Sequence, residues 1–94
     1  MAAVFYSPGA LKDLERLADF LLATDPPAAV DTGRILTEAI AMLVEHPLVG
    51  RIVEHGLREL VISRGRSGYV ALYRFDADSD RVFVLAIRHQ RELG

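Results

Sequence analysis

The chain has 94 residues, 51% hydrophobic and 26% charged, with a net charge of −2 at pH 7 and no cysteine. That size and balance fit one domain, spanning residues 1–94, with a single core; disulfides and thiolate metal sites are excluded. The apolar runs fall well short of the ~20 residues a membrane helix needs, and no basic-then-apolar leader pattern is visible, so a cytoplasmic protein without membrane association is expected.

Ala3–Tyr6 is a short apolar run that fits a strand at a sheet edge. Ser7-Pro8 is a helix start, with Ser7 as N-cap and Pro8 at the first helical position. Leu11, Leu14, Leu17, Ala18, Leu21 and Leu22 then recur at three- and four-residue spacings and predict a helix over about 8–24 with one buried face. Thr24-Asp25-Pro26-Pro27 ends that helix and starts another, with Asp25 as its N-cap. The second helix is predicted over about 27–45, with Ala29, Gly33, Leu36, Ile40 and Leu43 as its main stripe. Gly33 costs about 1 kcal/mol of helix propensity relative to alanine, and a close approach of the two helices is the expected reason for it. Pro47 stops this helix, and Leu48–Gly56 is read as a connector leading into the first of the strands that follow.

The remainder reads as three strands, Leu57–Ser63, Tyr69–Phe75 and Arg81–His89. The turns between them, 64–68 and 76–80, are short and built of glycine and small polar residues. Links of that length permit antiparallel hairpins but no parallel crossover. The expected fold is therefore α+β, in the order β-α-α-β-β-β, with a helical hairpin on one face of a small, mainly antiparallel sheet. Strict alternation along the third strand places Val82, Val84, Ala86 and Arg88 on one face and Phe83, Leu85, Ile87 and His89 on the other.

Charge is unevenly distributed. Residues 1–50 carry three basic residues against seven acidic ones, whereas residues 51–94 carry eight arginines against six acids. Lys12 is the only lysine. Arginine's planar fork suits bidentate contact with carboxylate or phosphate better than lysine does, though composition alone names no ligand. Asp76–Asp80 is too short for a calcium loop and lacks its glutamate. His46 and His55 have no ligand spacing, so neither a metal site nor a cofactor is expected.

Several segments together resemble the RelE/ParE superfamily of bacterial toxin–antitoxin toxins: Ser7-Pro8 with its leucine helix, Pro47, Gly50-Arg51, Leu57-Arg58-Glu59-Leu60, Tyr69-Val70-Ala71-Leu72-Tyr73-Arg74 and Val84-Leu85-Ala86-Ile87-Arg88-His89. The resemblance runs through nearly the whole chain in order, and the ending Arg88-His89-Gln90-Arg91-Glu92 is more similar to the ParE branch. It implies a small toxin held inactive by a cognate, ParD-like antitoxin. The ParE branch implies poisoning of DNA gyrase, and the RelE branch implies cleavage of mRNA on the ribosome.

For the gyrase reading, Arg58, Arg64, Arg74, Arg88 and Arg91 are the candidate target-binding residues. Cleavage of RNA through its 2′-hydroxyl needs proton transfer and cations on the phosphate. His89 is the candidate for the first role and Arg58 and Arg74 for the second. The sequence departs from the nuclease pattern in having almost no lysine and in carrying Gln90 where some nuclease members have tyrosine. Arg58 has structural partners to hand in Glu59 or Glu92, and Tyr69, Tyr73 and Phe75 read as core residues first.

Overall fold

Ser7 decides where the first helix begins. In the computed structural model, which describes residues 1–64 and 67–90, its backbone is extended and its hydroxyl oxygen accepts the Ala10 amide at 3.0 Å. This cap ends strand β1 (Ala3–Tyr6) and starts helix α1 (Pro8–Thr24). Asp25 repeats the device for helix α2 (Pro26–Ala41), its carboxylate accepting the Ala28 amide at 3.3 Å. A 3-10 turn, Met42–Val44, follows. The regular helix thus ends a turn before Glu45, although the chain keeps winding toward Pro47.

The rest of the chain supplies strands β2 (Arg51–Ile52), β3 (Arg58–Arg64), β4 (Ser67–Asp76) and β5 (Arg81–His89), giving a five-stranded sheet ordered β1-β5-β4-β3-β2. β1 runs parallel to β5 and every other pair is antiparallel. The two helices pack on one face. The predicted α+β arrangement is thus the observed one, with one correction. The stretch Leu48–Gly56, read only as a connector, contains β2, which pairs Arg51 with Glu59 and Ile52 with Arg58.

Two helix expectations are also corrected. The buried line of α2 is Ala28, Thr32, Leu36 and Ile40, continued by Leu43, so Ala29 and Gly33 stand beside the stripe rather than on it. A Cβ built on Gly33 meets nothing within 4 Å, so no close helix approach requires the glycine. On α1, Leu17 is buried and Leu14 packs against the core, while Leu11 and Leu22 are 54% and 55% exposed. The leucine face is wider than the surface the sheet offers it.

A further correction concerns β5. Leu72 pairs with Ala86 but Tyr73 pairs with Val84, so Leu85 is an extra residue in the ladder. Such a bulge flips the alternation of everything beyond it. Val82 and Val84 face the helices before the bulge and Ile87 does after it, all three fully buried. Ala86 and Arg88 are turned away from that face. The Ser7 hydroxyl donates to Leu85 O at 3.1 Å and the Ser7 amide to Val84 O at 2.8 Å. The residue that caps α1 therefore also holds the bulge.

Two stability changes follow. Gly33→Ala should stabilise the fold by up to about 1 kcal/mol, because helix propensity is gained with nothing displaced; for a domain of this size that raises the thermal midpoint by roughly 4–8 °C. Thr32 is 2% exposed and its hydroxyl has no hydrogen-bond partner among the described residues. Thr32→Val should therefore be neutral or stabilising by about 1 kcal/mol, since it removes an unpaired buried polar group at constant shape. Denaturant titration of both variants measures the signs.

Candidate functional site

The register sorts the candidate residues onto different surfaces. Arg58, Leu60 and Ile62 of β3 lie on the helix side with Tyr73, Ala71 and Tyr69 of β4. His89 pairs with Tyr69 and meets that ring edge-on at 5.1 Å. Arg74 faces the opposite, uncovered side with Phe83. On the helix side, the cross-strand partners of Arg58 and His89 are Tyr73 and Tyr69, four residues apart along β4, which is roughly 13 Å. The three residues proposed for RNA chemistry are not brought together.

Arg58 is committed to the backbone. Its guanidinium donates to Leu48 O at 3.1 Å and Gly50 O at 2.9 Å, not to Glu59. The same loop is held from inside by Tyr73, whose hydroxyl donates to Pro47 O at 2.8 Å and accepts the Gly50 amide at 2.9 Å. Glycine is needed at position 50, because a Cβ there would lie 2.6 Å from the Tyr73 ring and 2.9 Å from Glu59 O. Beyond the clamp is a shallow, mostly apolar cavity of about 420 Å³ lined by Glu45, His46, Pro47, Leu48, Val49 and Phe75.

Arg88 wraps around the β5 edge to pair with the Asp13 carboxylate, which also accepts the Ile87 amide at 2.9 Å. Asp13 thus continues along β5 the edge protection that β1 begins. The side chain of Arg64, and Arg91 and Glu92 altogether, lie outside the described residues.

The uncovered face carries a row the sequence reading did not assemble. Phe5 and Phe83 stack with centroids 5.8 Å apart. The Arg74 guanidinium sits 4.9 Å from the Phe83 centroid and that of Arg81 5.7 Å from the Phe5 centroid. At the far side of the sheet Arg51 pairs with Glu59 at 2.5 Å. Phe5 and Phe83 meet only because β1 and β5 run parallel in register, which alternation within either strand cannot reveal. Tyr69 and Tyr73 are buried, so among the described residues this pair, not the tyrosines, is the aromatic surface of the uncovered face. A row of flat cations and rings binds planar or acidic groups.

Neighbouring groups are structural. The Ser79 hydroxyl, ahead of the Asp78 and Ser79 amides and the Arg74 charge, holds the Asp76 carboxyl below its ordinary value, as expected of a turn closed by its own aspartate. Burial raises the Tyr6 hydroxyl above its ordinary value. Among the described residues no group of three or more His, Asp or Glu is placed to hold a metal ion.

The clamp gives a direct test. Tyr73→Phe leaves a buried amide and a carbonyl without their partner and should cost roughly 2–4 kcal/mol. The expected readout is a lowered unfolding midpoint together with accelerated hydrogen exchange at Gly50. An unchanged midpoint would show that the loop is held by Arg58 alone.

Among the described residues no helix is long and apolar enough to cross a membrane. Residues 4–94 match the family model described as the ParE toxin of type II toxin–antitoxin system, parDE. The chain is 35% identical over 92 residues to Toxin RelE3 of Caulobacter vibrioides, covering 98% of both chains. It is 39% identical over 89 residues to Toxin RelE1 of the same organism, covering 95% of this chain and 94% of the relative. Its fold matches that of a chain from the chromosomal ParDE system of P. aeruginosa with a TM-score of 0.77 at 22% identity, over 95% of this chain and 96% of the other. The chain therefore belongs to the ParE toxin family of type II toxin–antitoxin systems, within the RelE/ParE superfamily.

Proposed function

We propose that this toxin inhibits bacterial growth in the cytoplasm by binding and poisoning DNA gyrase, and that a cognate, ParD-like antitoxin neutralises it. The observation that carries the reading is the separation of the residues RNA cleavage would need. His89 is packed against Tyr69 on the helix side, Arg58 is spent on loop carbonyls, and Arg74 faces the other way. Proton transfer and phosphate stabilisation require these groups within reach of one reacting atom. Binding requires only a displayed surface. Within the target-binding set of Arg58, Arg64, Arg74, Arg88 and Arg91, we assign the leading role to Arg74, which is exposed on the uncovered face. This mode of action needs no cofactor.

A second reading is a RelE-like, ribosome-dependent mRNA endoribonuclease, favoured by the name RelE carried by the two Caulobacter relatives. Purified toxin incubated with gyrase and plasmid, and separately with translating ribosomes and message, separates the two. Inhibited supercoiling or trapped cleavage complexes with intact message is the expected result. His89→Ala should retain toxicity, and Arg74→Glu should weaken gyrase binding. Site-specific cuts in ribosome-bound message, reduced ~10²–10⁴-fold in His89→Ala as for loss of a general acid or base, would overturn the gyrase reading.

A further inference from the structure

Two arginines of the uncovered face lack the oxygen partner that the other described guanidinium groups have. Arg16 and Arg88 pair with Asp13, Arg34 with Asp31 and Glu38, and Arg51 with Glu59. Arg58 donates to two carbonyls. Arg74 and Arg81 are both exposed, and among the described residues neither guanidinium has a hydrogen bond or an ion pair. Each has a ring instead, Arg74 at 4.9 Å from the Phe83 centroid and Arg81 at 5.7 Å from that of Phe5. Asp76 stands opposite Arg81 in the ladder but pairs with neither arginine. Its carboxylate closes its own turn, accepting the Asp78 amide at 3.2 Å and the Ser79 hydroxyl at 2.9 Å.

A cation–π contact leaves the N–H donors of a guanidinium without an acceptor. Those donors fit a carboxylate in two parallel bonds. Cross-strand pairing sets Arg74, Phe83 and Phe5 in one row over β4, β5 and β1, and Arg81 lies two residues along β5, about 6.8 Å away. Phe5, 46% exposed and stacked on Phe83, offers apolar surface beside both cations. We propose that this face binds an acidic segment of the toxin's target protein. Two carboxylates of that segment take Arg74 and Arg81, and an apolar side chain between them covers Phe5. This rests on the gyrase reading above and names the chemistry that reading requires of the target. Charge favours a protein segment over nucleic acid. Affinity for a phosphate backbone grows with the number of phosphates neutralised, and two arginines neutralise few. Asp76, Asp78 and Asp80 stand at the end of the same two strands and would repel a continuing polyanion. Two separate carboxylates meet no such obstacle.

Purified gyrase is the probe. The double variant Arg74→Gln, Arg81→Gln should fold with a thermal midpoint close to that of wild type. It should bind gyrase at least about tenfold more weakly and with a flatter salt dependence, as expected when charges at an exposed contact are removed. Arg74→Lys and Arg81→Lys map the contact. Lys12 is the chain's only lysine and stands on α1, across the sheet from this face. A zero-length carbodiimide should therefore join the substituted position to an aspartate or glutamate of gyrase. If wild-type toxin does not bind gyrase, the target reading falls and this assignment with it. If the double variant binds as tightly as wild type, or neither lysine variant couples at its new amine in a complex that forms, the acidic-segment site falls while the target reading stands. The double variant may instead keep gyrase binding and lose binding to single-stranded RNA or duplex DNA, a dimer in solution, or the complex with the protein encoded by the adjoining reading frame. Each of those results would assign the face to that other occupant and overturn the proposal.

Discussion

One extra residue in β5 governs how the two halves of the molecule fit. Without the bulge at Leu85, Ala86 and Arg88 would continue the face begun by Val82 and Val84, and a guanidinium would enter the core. With it, Ile87 fills that place and Arg88 leaves by the edge to reach Asp13. A bulge needs its unpaired backbone groups satisfied, and Ser7 does this for Leu85 O. Because Ser7 is also the cap of α1, the start of the helix and the irregularity of the strand are fixed by a single hydroxyl. Asp13, two turns into α1, then accepts the Ile87 amide, so the helix replaces β1 as the neighbour of β5 exactly where β1 has ended.

The loop between the helices and the meander is governed in the same way by Tyr73. Its ring is fully buried at the centre of the sheet, and its hydroxyl has both hydrogen-bonding roles filled by backbone. Arg58 adds two more bonds to the same loop. Four hydrogen bonds hold Pro47–Gly50, a segment that displays Leu48 and Val49 to solvent at 59% and 52% exposure.

The parts of this fold that were legible in the sequence are those with local causes. Ser7-Pro8 and Asp25-Pro26 write helix starts because capping involves residues three apart. The polar turns after Ser63 and Phe75 allow only hairpins, which fixes the order of β3, β4 and β5. What escaped depends on pairing between distant residues. The run Val82–Ile87 is apolar on both parities, so nothing in it marks where alternation breaks. β2 is two residues long and has no period to detect. Gly33 and Gly50 look alike in sequence; only the second is explained by a neighbour, the Tyr73 ring 23 positions away. The candidate arginines were legible as a set, but their roles were not, because a guanidinium that clamps carbonyls and one displayed on a sheet have the same local sequence.

That last distinction bears on how such a fold changes its activity. Arg58 and Arg88 each bond to backbone or to a carboxylate that itself holds backbone, so replacing either alters the scaffold before it alters any surface. Arg74 and Arg81 rest on Phe83 and Phe5, where cation–π contact is worth only about 0.5–1 kcal/mol at an exposed site. Those positions are free to vary without endangering the core. On the target-binding reading proposed above, a chain that changes its target while keeping its fold would do so on the uncovered face, through Phe5, Arg74, Arg81 and Phe83, and would keep Ser7, Asp13, Arg58 and Tyr73.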